Sequence, residues 1–175
     1  NEFLAPFQKR SEAGSFEGYV GLGKLIDATV KMAAYCRDEK VIGLKNHLVE
    51  EIIKAQEADG YIGNKTPENR MWTLWDIHEI GYIIFGLTSD YKFFKDKKSL
   101  EAAEKAADYL MKNWLSMPAN LENTLNDALH MIITGLHRTM LTLYSVTNNN
   151  RYLNFCISQL DLKNWDPGII IGRGN

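Results

Sequence analysis

The run Met71-Trp72-Thr73-Leu74-Trp75-Asp76-Ile77-His78-Glu79-Ile80-Gly81-Tyr82 concentrates the side chains best suited to chemistry. On a helix Trp75, His78, Glu79 and Tyr82 stand at i, i+3, i+4 and i+7 and share a face, with Asp76 flanking it. Aromatic rings give flat apolar platforms for sugar rings, and carboxylates accept hydrogen bonds from hydroxyls. Carboxylate pairs also perform the acid–base work of glycosidic cleavage. Such polar groups on a buried helix are costly unless the protein or a ligand satisfies them. The pattern therefore has two readings: the lining of a carbohydrate site by Trp75, Asp76, His78 and Glu79, or an internal network tying this helix to its neighbours. Metal binding by this helix lacks support, because Tyr82 stands where His-Glu-x-x-His needs a second histidine.

A second candidate follows Gln56-Glu57. In Asp59-Gly60-Tyr61-Ile62-Gly63, Gly60 permits a left-handed helix end and Tyr61 falls in a loop at a hairpin end. Tyr61 is either a substrate contact or a packed ring. His130 and His137, seven apart, form a row opposite an apolar stripe and read as a solvated or partly buried helix side. His47, beside Asn46, reads as surface. Cys36 and Cys156 sit among apolar neighbours and read as buried free thiols, and two cysteines cannot close a zinc site unaided. Lys92 to Lys98 reads as a solvated turn. Gly18 to Gly23 superficially resembles a phosphate loop, but no strand pattern leads into it.

These residues need helices to position them. Apolar residues recur at helical spacing in six stripes, around Leu22–Ala33, Leu44–Ile53, Thr73–Leu87, Leu100–Trp114, Leu129–Tyr144 and Leu153–Leu160. Ser99 is the expected N-cap of the fourth helix. Breaks fall at Asp59-Gly60, Gly63, Ser89-Asp90, Met117-Pro118 and Asn148-Asn149-Asn150. The run Ile169-Ile170-Ile171 is the one β-prone stretch. A weak repeat brings a helix end to Cys36, Thr88 and Val146, each followed by a second helix, and this periodicity implies stacked helical hairpins. The expectation is an all-α fold of tandem helical hairpins, residues 1–175 forming one domain. The nearly apolar third and fifth helices suit an inner layer, with the second, fourth and sixth outside. A closed ring of six hairpins needs about twice this length. Such hairpins either close into a toroid or run on as an open solenoid, and at this length a toroid would be a partial one.

Composition narrows the partners. Acids and bases nearly balance, with a formal net charge of -2, which gives no electrostatic footprint for nucleic acid. No apolar run approaches the ~20 residues of a membrane span. No cofactor motif is visible. Carbohydrate is the partner that the aromatic and carboxylate residues between Trp75 and Tyr82 favour.

Several pieces together resemble a known family. Gly18-Tyr-Val-Gly-Leu-Gly-Lys24, Gln56-Glu-Ala-Asp-Gly-Tyr-Ile-Gly63, Trp72 to Gly86, and Leu143-Tyr-Ser-Val-Thr147 with Arg151-Tyr-Leu-Asn-Phe155 resemble, in order and spacing, the β-L-arabinofuranosidase-like proteins of glycoside hydrolase family 127. The resemblance implies an (α/α)-toroid catalytic domain acting on terminal L-arabinofuranose, with this chain as its N-terminal part, a partial (α/α)6-toroid. It implies a cysteine nucleophile in a zinc-binding cluster and a carboxylate acid/base, all further along the chain than these residues. Zinc is thus expected only in a full-length protein, and no cofactor in this chain. His78 and Glu79 match the family's His-Glu pair. Phe85 stands where the family has a second pocket histidine, and Ile84 where it has glycine, which points to a divergent branch. The rival expectations are a non-catalytic helical-repeat module binding a glycan or protein, and another toroid enzyme such as an unsaturated-uronyl hydrolase or sugar epimerase.

Overall fold

The computed structural model describes residues 2–10, 20–73, 75–114, 126–160 and 162–164, with the side chains of 126–134 and 164 outside that description. The helices are α1 (Ala5–Lys9), α2 (Leu22–Cys36), α3 (Glu39–Lys54), α4 (Asp76–Phe94), α5 (Lys97–Asn113), α6 (Asn126–Thr147) and α7 (Asn150–Ser158). Short 3-10 turns cover Pro67–Asn69 and Leu162–Asn164. No strand occurs among the described residues. The β-prone run 169–171 and the break at Met117-Pro118 lie outside them.

Three two-residue turns build the hairpins by one device. Arg37, Lys95 and Asn148 each close a helix with positive φ, at 53°, 60° and 54°. The next residue in each case, Asp38, Asp96 or Asn149, caps the following helix. The Asp38 carboxylate accepts from Lys40 N at 2.8 Å, that of Asp96 from Lys98 N at 2.9 Å, and the Asn149 side chain from Arg151 N at 3.2 Å. A left-handed residue satisfies the last carbonyls of one helix and an Asx side chain the first amides of the next, so the chain reverses without a longer loop.

The helices form two layers. α4 packs against α2 on one side and α6 on the other, while α3, α5 and α7 back α2, α4 and α6 respectively. The inner and outer assignment made from amphipathicity holds. Ile77, Ile80, Ile83, Ile84 and Leu87 of α4 are buried in one core with Ile26, Ile52, Leu110 and Met140. Each such side chain removed from water is worth roughly 1.5–3 kcal/mol. Ala102, Ala103, Ala106 and Ala107, all buried on α5, let that helix approach α4 closely. α2 and α4 come closer still. A Cβ on Gly23 would stand 2.2 Å from the Tyr82 backbone, so the last glycine of the apparent phosphate loop serves helix packing.

Three expectations are corrected. α4 continues through Ser89 and Asp90, which read as a turn, to Phe94. Asp90 is fully buried there, paired with Lys45 Nζ at 2.8 Å and accepting from Ser99 Oγ at 2.6 Å, so its polarity is spent inside. Ser99 accordingly lies within α5, and Asp96 is the cap. Cys36, at the exposed end of α2, is not buried, whereas Cys156 is, and burial pushes its thiol up to about 11.

Candidate functional site

The site is built around the start of α4. Trp75 adopts φ 71°, ψ -7°, and the helix begins only at Asp76. Trp75 therefore stands outside the helix on which its spacing had placed it. Its ring still lies 5.4 Å from His78, whose ring lies 4.8 Å from that of Tyr82. The left-handed turn folds the indole back over the first helical turn and preserves the row Trp75–His78–Tyr82. All three side chains are half-buried.

Asp76 and Glu79 point elsewhere and are fully buried. One Glu79 carboxylate oxygen accepts from Val20 N and Gly21 N, both at 2.9 Å, and the amides of Leu22 and Gly23 also favour its charge. This carboxylate caps the N-terminus of α2 from across the interface, where orphan amides and the helix dipole favour an anion. Burial nevertheless raises its pKa.

Asp76 accepts from Met71 N at 2.6 Å and from the Tyr61 hydroxyl at 2.8 Å. That hydroxyl in turn accepts from Lys65 N at 2.8 Å. Burial pushes the Asp76 carboxyl up to about 6, against the opposing pull of these donors and of nearby Lys65 and Arg70. Tyr61, also fully buried, has its phenol pushed above the ordinary range by burial and the Asp76 charge. Its ring packs edge-on to Tyr109 at 5.3 Å and carries the Arg70 guanidinium 3.8 Å from its centroid. Arg70 is held by a two-pronged bond to Glu57, at 2.8 and 3.0 Å. A Cβ on Gly63 would stand 2.4 Å from the Tyr61 oxygen and 2.5 Å from Asp76 Oδ1, so only glycine leaves room for this network. The hydrogen bonds of Tyr61, Asp76 and Glu79 thus connect the 56–73 loop and α2 to α4.

The face of α4 turned away from α5 carries His78, Tyr82, Phe85 and Ser89, spaced by four, three and four residues. Its neighbours supply cations. Lys24 Nζ of α2 lies 4.4 Å from the Tyr82 ring centroid, Lys31 Nζ 5.2 Å from that of Phe85, and Arg138 of α6 4.4 Å from that of Phe85. Asp27 joins Lys31 at 2.6 Å and accepts from Ser89 at 2.7 Å. Gly135 opens the α6 side, since a Cβ there would meet the Tyr82 ring at 3.3 Å. Rings flanked by cations and an imidazole form a surface for stacking and hydrogen bonding a polar ring.

Lys24, Phe85 and Arg138 were not singled out as ligand contacts from the residues alone. Their grouping depends on three helices meeting, and no spacing within one helix reports it. His137, read as part of a solvated or partly buried side, is buried, and its Nε2–H donates to the Leu160 carbonyl at 2.6 Å, fastening α6 to the end of α7. The side chain of His130 lies outside the described residues. His47 is exposed, as expected. Two clefts, of about 350 and 390 Å³, lie on the outer side around Arg10–Gln56 and Val49–Lys98, remote in composition from the α4 face. Among the described residues no three metal-ligating side chains converge, so they do not fit a zinc ion and no zinc-dependent step is assigned to them. No helix among the described residues is long and apolar enough to cross a membrane.

Comparison with known proteins agrees with this architecture. The model of the β-L-arabinofuranosidase GH127 catalytic domain matches residues 5–169. The crystal structure of Ara127N-Se, a GH127 β-L-arabinofuranosidase from Geobacillus stearothermophilus T6, superposes with a TM-score of 0.65 at 21% identity, covering 91% of this chain and 26% of that one. The GH127 β-arabinofuranosidase BT3674 superposes with a TM-score of 0.64 at 15% identity, covering 87% and 26%. The chain therefore spans about a quarter of the length of these solved structures. No curated protein sequence matches it. The fold is the partial (α/α)6-toroid that the family resemblance implied, built from the hairpins expected from the repeat. The chain belongs to the GH127 catalytic-domain family.

Proposed function

We propose, from membership of the GH127 catalytic-domain family, that this chain is the N-terminal part of a larger toroid and forms one wall of the sugar pocket of a glycoside hydrolase acting on terminal, L-arabinofuranose-like sugars. The observation that carries the reading within the chain is the row Trp75–His78–Tyr82 on the face of α4 not covered by α5. Trp75 and His78 would touch the sugar, the indole by stacking and the imidazole by hydrogen bonding. Asp76, Glu79 and Tyr61 would act behind them, through the bonds that set where α4 begins and how it meets α2. Nucleophile and acid/base would come from residues outside this chain, together with any zinc.

The test is hydrolysis of an aryl β-L-arabinofuranoside by the full-length protein. Release of the aryl alcohol, reduced at least tenfold in His78→Ala without loss of folded protein, is the expected outcome. A protein that neither cleaves aryl glycosides nor binds L-arabinose at millimolar concentration contradicts the reading and favours a non-catalytic module.

A further inference from the structure

Beyond the sugar pocket, we propose that the apex of the α4–α5 hairpin docks on an anionic phospholipid surface, with Phe93 entering the lipid and Lys92, Lys95, Lys97 and Lys98 facing the headgroups. The juxtaposition of an exposed apolar ring with four unspent cations carries the inference. Phe93 stands on the last turn of α4 with a relative exposure of 47%, and the four lysines are exposed on either side of the two-residue reversal. None of the four is joined to a carboxylate among the described residues. Two of them lie beside rings instead, Lys92 Nζ 6.0 Å from the Phe93 centroid and Lys95 Nζ 5.5 Å from that of Tyr91. The nearby acids are occupied or outnumbered. Asp90 is buried and paired with Lys45, and Asp96 accepts from Lys98 N to cap α5. Glu101 lies a turn further along α5, and Glu50 and Lys54 of α3 add one charge of each sign. The excess is local, since the whole chain carries a formal net charge of -2.

The fold decides where this apex points. Gly23 approaches Tyr82, and Asp27 accepts from Ser89, so α2 and α4 run parallel and their reversals lie at one end of the stack. Trp75 lies at the other end, about 28 Å away along the 19 residues of α4. An apex resting on a membrane therefore leaves the pocket end turned to solvent. α4 and α5 form the middle hairpin, with α2 and α6 already on either side of α4, so further hairpins added to the stack do not cover this apex. Tyr35, 93% exposed on the last turn of α2, stands at the same end. Shape selects a lipid surface over a glycan or peptide strand. A strand needs a groove, and the adjoining cleft is lined by Asp96 and Lys98 but not by Phe93, Lys92, Lys95 or Lys97. A projecting phenyl group among ammonium groups matches an interface with negative headgroups over an apolar interior. Long lysine stems keep their charges at headgroup level while the phenyl group enters.

The experiment is co-sedimentation of the full-length protein with vesicles of phosphatidylcholine alone and of phosphatidylcholine mixed with phosphatidylserine, at low and at raised salt. Binding to the mixed vesicles is expected to be about tenfold stronger at low salt and to weaken as salt rises. Each lysine changed to glutamine should lower the affinity about fivefold. Phe93→Ser should lower it about tenfold. In Phe93→Trp the mixed vesicles should shift indole emission to the blue, beyond any change in the native protein. Thermal melts establish that these exposed substitutions leave the fold intact. Equal binding to both kinds of vesicle, or binding to neither, overturns the inference. Binding undiminished in Phe93→Ser and Lys95→Gln also overturns it. Retention on heparin without vesicle binding overturns the lipid assignment in favour of a soluble polyanion. None of these results touches the hydrolase reading, which stands or falls with His78→Ala.

Discussion

The two sides of α4 use polar residues in opposite ways. Towards the loop and α2, Asp76 and Glu79 are sealed from water, Asp76 accepting from Met71 N and the Tyr61 hydroxyl and one Glu79 oxygen from the amides of Val20 and Gly21. On the side not covered by α5, His78 and Tyr82 remain half-exposed beside cations of the neighbouring helices. Asp76 and His78 are two residues apart, Glu79 and His78 one. One turn of helix therefore carries both the groups that fix its own position and those that can meet a ligand. Rigid placement by the first set is what gives the second a defined geometry, because a binding group is only as well placed as the element that carries it.

That division can be broken from either side. The largest effect is expected from Glu79→Ala. It removes a buried carboxylate and leaves the part-buried amides of Val20 and Gly21 without their acceptor, and should cost about 3 kcal/mol, read as a fall in denaturation midpoint. Gly63→Ala comes next. A methyl group within 2.4–2.5 Å of the Tyr61 and Asp76 oxygens forces that pair apart, for a loss of about 2 kcal/mol on the same scale.

A pH series sharpens the comparison. The Asp76 carboxyl ordinarily titrates near 3.8 and is raised to about 6 in the folded chain. Between these values the folded state keeps a proton that the unfolded state has released, so stability falls as pH rises through the window and levels off above about 6. The full difference is roughly 3 kcal/mol. The stability gap between the native protein and Asp76→Asn should therefore be widest near pH 4 and narrow by pH 7. A gap independent of pH contradicts the assignment. The smallest effect on stability is expected from Cys36→Ser, within about 0.5 kcal/mol, since that thiol is exposed.

Much of this was legible in the residue order. The inner and outer helices follow from how completely each is apolar, and hydrophobic burial decides that layering. The first and third reversals were readable because Arg37-Asp38 and Asn148-Asn149 end clean stripes. The middle one was misplaced at Ser89-Asp90, because polar residues in mid-helix look like punctuation until Lys45 and Ser99 arrive from other helices to satisfy them. The solvated turn read at Lys92 to Lys98 does contain the true reversal, Lys95-Asp96. At the site, the clustering of Trp75, His78 and Tyr82 was visible from spacing. The left-handed Trp75 was not, since a bulky residue with positive φ has no sequence signal of its own. Nor did local sequence distinguish His78, which keeps access to solvent, from Glu79, which caps another helix 58 residues away. That distinction depends on the meeting of α2 and α4 at Gly23.

The most direct test is one paired measurement on His78→Ala: its thermal melting point and its affinity for the sugar that the full-length protein binds. If the uncovered face of α4 serves the ligand and not the fold, the melting point stays within about 4 °C of the native value while the affinity falls at least tenfold. A variant that melts far below the native protein, or that folds and binds the sugar undiminished, contradicts the division of labour across this helix.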